Sequence, residues 1–260
     1  MDGEWVINGQ KIWTSSAVEA DYMFCLVRTE PEAKKHAGIS YLLIDMKQPG
    51  IDVRPLKQMT GSSEFNEVFF NDVRTPEDWI VGKRGEGWLV SRTTLKHERN
   101  GIGAAAQSVN LLQALVGLAK ERKLDGRPAI EDPSIRRGLA ELEGYIRAHQ
   151  YSGYLQMTKD LKGESAGVMQ LMNKINSTNI GHMVSKLAME ILGEDGLVAP
   201  STMGVMGLMG KGASSPANWV AQYMSSIGVA IAGGTANIQR NVIAERGFGL
   251  PRDAAANASK

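Results

Sequence analysis

The apolar pattern of this chain changes character once, and that change constrains its fold more than any other feature. Up to about residue 80, the apolar residues come in short runs rich in Trp, Val, Ile, Phe and Tyr: EWVINGQKIW, YMFCLVR, GISYLLIDM, GIDVRPL and NEVFFNDV. Turn-forming and charged residues separate them, as in an antiparallel sheet. Within the first run, Asn8-Gly9 is a strong short-range hairpin signal and predicts a turn there. Beyond Thr75-Pro76 and the glycine-rich GKRGEG, long stretches carry apolar residues at helical spacing. Strands followed by helices predict an α+β chain, an antiparallel β domain and then an antiparallel four-helix bundle. The boundaries read as residues 1–84 for the β domain, 85–252 for the helical domain and 253–260 for a frayed tail.

Four helical segments are expected. One long helix runs from Trp88 to about Lys123 and ends near Asp125-Gly126, with Pro128 beyond it. A second spans Pro133 to about Leu161, and a third runs from about Glu164 to Leu192, stopping at Gly193. The last is two shorter pieces, Trp219 to Ile231 and Ala236 to Arg246, hinged at Gly233-Gly234. Between them, Ala199 to Pro216 is rich in Gly, Met and Ser and reads as a surface loop or a short interface element.

Composition narrows the function. The chain has 260 residues, 43% of them hydrophobic, enough to bury sizeable cores. A formal net charge of +1 provides no field to recruit nucleic acid or an anionic membrane. Cys25 is the single cysteine and excludes a disulfide within the chain; inside YMFCLVR it reads as a packed thiol. The four histidines show no metal-ligand spacing, so no metal site is expected. With no leader-like start and no uninterrupted apolar span, a cytoplasmic chain without membrane insertion is the expectation.

One charged residue interrupts the apolar pattern of the first helix. Its stripe passes through Trp88, Leu95, Ile102, Ala105, Val109, Leu112, Val116 and Ala119, and the position required between Leu95 and Ile102 is Glu98. A buried carboxylate is costly unless paired or protonated, and Arg99 is adjacent. Periodicity alone leaves two readings open, a desolvated base or a Glu at the stripe's edge in an ordinary ion pair. Trp13-Thr14-Ser15 is likewise either plain sheet or an aromatic and hydroxyl platform, and Gly233-Gly234-Thr235 either a hinge or the open start of a helix. The methionines between Met203 and Met209 could line an apolar channel, with a flexible packing patch as the other reading.

The strings KIWTSSA, GISYLLIDM, PLKQMTG, EFNEVFFNDVRTP, GEGW, LKHER and IAGGTANIQRNVIAERGFGLPRD occur in this order from Gly3 to about Arg252. As an ordered series they resemble the acyl-CoA dehydrogenase family, its middle β domain and C-terminal helical domain. The resemblance implies an FAD-dependent oxidoreductase of lipid and fatty-acid β-oxidation type. Glu98 would be the α-proton base, with Arg99 orienting it. Trp13, Thr14 and Ser15 would contact the flavin ring; Gly193, Gly234, Thr235 and Asn237 would serve the rest of the cofactor, and Arg122 the pyrophosphate of a neighbouring subunit's cofactor. The string around Gly233-Gly234-Thr235 lacks the carboxylate that other members place there, leaving Glu98 as the base on offer. Two further departures stand beside it: Asp125-Gly126 replaces an aromatic-glycine pair, and Gly193-Glu194 replaces a glycine pair. The family also implies an acyl-CoA substrate, electron-transfer flavoprotein as oxidant, and a homo- or hetero-tetramer built as a dimer of dimers. Members usually carry an N-terminal helical domain and further strands before the point where this sequence starts. A non-catalytic or partner-dependent subunit, or an inactive fragment, is therefore the alternative expectation.

Overall fold

The computed structural model describes residues 3–102, 105–202 and 215–252, with the backbone alone for 96–102. It is an α+β structure with antiparallel sheets. The chain divides into two compact units, Met1–His97 and Glu98–Lys260.

In the first unit, strands β1 (Glu4–Ser15), β4 (Ile51–Leu56) and β5 (Phe65–Pro76) form one sheet in the order β1-β5-β4. Strands β2 (Tyr22–Arg28) and β3 (Ile39–Asp45) form a second pair. Both pairings onto β5 are antiparallel. The inward residues of the strands, among them Ile7, Cys25, Leu42, Ile44, Val68, Phe70 and Val73, make one core. At about 25 cal/mol per Å² of apolar surface, their burial is the main force holding the unit together.

The hairpin expected at Asn8-Gly9 is absent. β1 runs straight through these residues, with a register shift between Ile7 and Gly9. Asn8 is held across the sheet instead: its Nδ2 donates to Asp72 Oδ1 at 3.0 Å, and its Oδ1 accepts from the Asp72 amide at 2.9 Å. Asp72 takes the left-handed backbone, φ 52°, at this bulge. Strand pairing along the whole of β5 outweighs the local turn preference.

The helical region opens with α1 (Gly87–Ile102) and α2 (Ala105–Glu121); residues 103 and 104, inside the one long helix the sequence predicts, lie outside the described residues. The apolar phase carried over from α1 is offset in α2. Its buried face is Ser108, Leu111, Leu115, Leu118 and Ala119, with Val109 and Leu112 only partly buried at the flank. α2 packs on two neighbours, α3 (Pro133–Leu161) and α4 (Met169–Leu192), so its buried face is set by both contacts. On α1 the stripe is not sealed, since Trp88 and Leu95 keep 39% and 37% of their surface exposed.

After α2 the chain does not simply stop. β6 (Lys123–Leu124) pairs with β7 (Arg127–Pro128) across Asp125-Gly126, whose φ values are 50° and 80°. This is the two-residue hairpin that an Asp-Gly pair favours.

α3 starts where the sequence predicts. Pro133 sits in its first turn, and Asp132 caps it by accepting from the Ser134 and Ile135 amides. α4 begins later than expected, at Met169, and ends at Gly193. The last two helices are α5 (Pro216–Val229), capped by Ser215, and α6 (Ala236–Val242), capped by Thr235 and extended by a wider turn, Ile243–Gly247. α3 packs on α2 and α4, and α4 on α2, α3 and α5, around Leu115, Leu142, Ile146, Ile180, Val184, Ile191 and Trp219. Most of the Gly/Met/Ser segment between α4 and α5, residues 203–214, lies outside the described residues.

Candidate active site

In the first unit, Trp13, Thr14 and Ser15 end strand β1 at a bulge. Lys11 pairs with Val68 and Thr14 with Asn66, so Ile12 and Trp13 together face the single residue Glu67. Trp13 adopts φ 64°, a left-handed conformation that is unfavourable for a bulky side chain. The bulge leaves the indole 64% exposed, with its edge against Phe65 at 6.2 Å between ring centroids. Ser15 is exposed and Thr14 half-buried beside it. An exposed aromatic and the exposed Ser15 thus lie at the end of β1, with half-buried Thr14 between them opposite the buried Asn66.

Sequence reading missed the residue beneath this bulge. Asn66 is 1% exposed, and its Nδ2 donates to the Thr14 carbonyl at 3.0 Å and to the Glu64 carbonyl at 3.3 Å. Its Oδ1 is buried with no hydrogen-bond partner among the described residues. In the sequence it was one polar residue in a strand, and nothing there marks it.

In the second unit, Arg122 and the turn at Gly193 come together. Arg122 follows the end of α2 and pairs with Asp195, which stands in the turn Gly193–Gly196 after α4. Gly193 makes that turn possible with φ 53° and ψ −126°, a conformation that other residues adopt only under strain.

Gly234, Thr235 and Asn237 form a second group in the same unit. Thr235 Oγ1 accepts from the Ile238 amide at 3.3 Å, and Asn237 is exposed, its Oδ1 accepting from Arg240 at 3.4 Å. Gln239, 3% exposed, reaches back to the turn and donates to the carbonyls of Gly233 and Gly234 at 3.0 and 3.4 Å. Gly234 has φ 98°, and a Cβ there would stand 2.4 Å from Gln239 Nε2. At the other end of the turn, Lys174 is fully buried in α4 and its Nζ donates to the Ala230 carbonyl at 3.3 Å, where α5 ends. Burial pushes the Lys174 ammonium below its ordinary pKa.

Glu98 and Arg99 lie on the helical backbone of α1, and their side chains, like that of His97, are outside the described residues. So are the methionines from Met203 to Met209. Elsewhere, His36 stacks on Trp88 at 4.0 Å, and His182 Nδ1 bonds Ser226 Oγ at 3.0 Å. Among the described residues no group of His, Cys, Asp and Glu could hold a metal ion. Nor is any described helix long and apolar enough to cross a membrane.

Residues 85–248 match the acyl-CoA dehydrogenase C-terminal domain, and residues 1–73 match the acyl-CoA dehydrogenase middle domain. The chain belongs to the acyl-CoA dehydrogenase family. Acyl-CoA dehydrogenase IpdE1 of Mycobacterium tuberculosis is 37% identical over 98% of this chain and 62% of its own length. Acyl-CoA dehydrogenase FadE34 of the same organism is 33% identical over 96% of this chain and 32% of its own. The chain therefore spans less than two thirds of the length of these relatives. Among solved structures, the Tcur3481-Tcur3483 steroid ACAD superposes with a TM-score of 0.83 at 28% identity, over 97% of this chain and 62% of that one. The ChsE4-ChsE5 complex from Mycobacterium tuberculosis superposes with a TM-score of 0.81 at 25% identity, over 97% of this chain and 63% of that one.

Acyl-CoA dehydrogenases are flavoproteins, and the residues present suit a flavin. The exposed Trp13 indole offers a face for a planar ring, and the exposed Ser15 two residues on carries a hydroxyl. The Asn66 acceptor, buried behind the Trp13 bulge without a hydrogen-bond partner among the described residues, is the sort of unsatisfied group that calls for an explanation.

Proposed function

We propose that this chain carries the flavin-binding and catalytic residues of an FAD-dependent acyl-CoA dehydrogenase, which oxidises the Cα–Cβ bond of a CoA thioester. The observation that carries the reading is Trp13, held 64% exposed on a left-handed bulge at the end of β1. A large aromatic in that conformation is unfavourable for folding and useful for covering a ring. FAD, when bound, supplies the acceptor for the β-hydride.

The chain's own residues do the rest. Glu98 takes the α-proton onto its carboxylate. Arg99 orients that carboxylate. Trp13, Thr14 and Ser15 position the flavin ring, while Gly234, Thr235 and Asn237 offer backbone amides and polar side chains to the remainder of the cofactor. Arg122, with the Gly193 turn behind it, serves the pyrophosphate of a neighbouring subunit's cofactor. The proposed oxidant is electron-transfer flavoprotein, the assembly a homo- or hetero-tetramer, and the location cytoplasmic.

A second reading has its own observation. Arg122 is ion-paired with Asp195 inside this chain, so its charge is partly neutralised before any phosphate arrives. That favours a subunit whose flavin site is completed by a partner.

Purification and titration with FAD, followed by an acyl-CoA series, test both readings. Flavin absorbance that bleaches with substrate, and fails to bleach in Glu98→Gln while FAD still binds, is the expected result. A colourless chain that takes up FAD only with a second polypeptide would favour the subunit. A chain that binds no flavin in either setting would refute both.

A further inference from the structure

We propose that Asn66 is the positioning residue of the Trp13 platform, acting through the backbone of the β1 bulge rather than touching the cofactor itself; the functional consequence rests on the flavin reading above. Several local rules are broken within a few residues of one another, all of them around this side chain. Trp13 is a bulky residue at positive φ, Ser16 follows at φ 54°, and Asn66 Oδ1 is a buried acceptor without a partner among the described residues. Strain and unsatisfied polarity at one point mark a shape maintained for function rather than for stability.

The residue type is dictated by the bonds it makes. The Thr14 and Glu64 carbonyls both point at position 66, and only a side chain with two N–H donors on one atom can bridge them. Aspartate would present acceptors to two acceptors, and serine has a single donor. The Ser16 amide also donates to the Glu64 carbonyl at 2.8 Å, and the Phe65 ring supports the indole edge. Residues 64–66 thus clamp residues 13–16 from below, and Asn66 is the polar centre of the clamp. Without it, the extra residue of the bulge can relax into regular pairing, and a one-residue slip would send Trp13 to the other face of the sheet.

Hydrogen exchange and fluorine NMR on the full chain test this. The five tryptophans are labelled with 5-fluorotryptophan, and the Trp13 resonance is assigned with Trp13→Phe. In Asn66→Asp, amide exchange across residues 12–17 should rise roughly tenfold, the equivalent of about one buried hydrogen bond, while β2 and β3 keep their protection. The Trp13 resonance should shift or broaden as the others stay in place. Asn66→Ser, which keeps one donor, should be intermediate and covers the case in which the aspartate variant does not fold. FAD affinity should fall in both variants alongside the resonance. Wild-type exchange and an unmoved Trp13 resonance in Asn66→Ser would overturn the proposal. If FAD leaves the wild-type Trp13 resonance untouched while the Asn66 effects on exchange persist, the flavin reading fails and the clamp stands.

Discussion

Arg122, just beyond the end of α2, is ion-paired with Asp195 in the turn after α4. The two side chains retain 34% and 58% exposure, so the pair contributes at most about 1 kcal/mol to stability. If Arg122 serves an anionic cofactor as proposed, the pair competes for its charge. Asp195→Asn should therefore tighten FAD binding several-fold in the flavin-competent assembly, with a melting temperature near that of wild type. Arg122→Gln should weaken it. Titration by flavin fluorescence decides between them, and equal affinities in all three proteins would remove Arg122 from the site.

Trp13→Gly separates stability from function. Glycine relieves the left-handed strain at φ 64°, worth about 1–3 kcal/mol, and the lost indole was mostly exposed. Added flexibility of the unfolded chain offsets part of that gain. Thermal melts should show no loss of stability, while flavin binding drops sharply. A large fall in melting temperature would mean that the indole is a packing element.

Lys174 makes the stability pH-dependent. Burial lowers its pKa in the folded chain, so between that value and its unfolded pKa of about 10.4 the unfolded state binds the extra proton. Stability contributed through this group therefore rises with pH across that window, and is lowest below it. Lys174→Met, which removes the charge, should compare best with wild type at pH 7 and lose that relative standing by pH 10. Melting both proteins over this range measures it; a difference independent of pH would contradict the assignment.

Gly234→Ala should destabilise the second unit by about 1–3 kcal/mol, since alanine must hold φ 98°. The new methyl also displaces the Gln239 amide that spans the turn. Denaturant unfolding checks the magnitude. A variant as stable as wild type would show that the turn has another low-energy form.

Cys25 should be silent in the native protein. It is 2% exposed, and burial raises its thiol pKa even against the nearby Lys11 ammonium. A thiol reagent at pH 8 should modify it only after denaturation. Rapid native labelling would show that the β2–β3 pair opens readily.

Two dipeptides show how far local signals reach. Asp125-Gly126 forms the hairpin its composition favours, because only two short strands depend on it. Asn8-Gly9 carries an equally strong signal and forms none, because β5 pairs along the whole of β1 and draws Asn8 into bonds with Asp72. α3 was legible almost to the residue, since Asp132 and Pro133 set its start through contacts within one turn. The buried face of α2 was not, because two neighbouring helices determine it.

The candidate site divides in the same way. Trp13, Thr14, Ser15, Gly234 and Thr235 stood out in the sequence through their residue types and the strings around them. Asn66, Gln239 and Lys174 did not, because each acts on a carbonyl brought to it from a distant or turned-back segment. What the sequence by itself determined was the α+β class, the strand segments and most helix limits, all set by interactions between near neighbours. Tertiary structure alone decided which polar side chains are buried and which carbonyls they hold, since hydrogen bonds between segments depend on packing that no local pattern encodes.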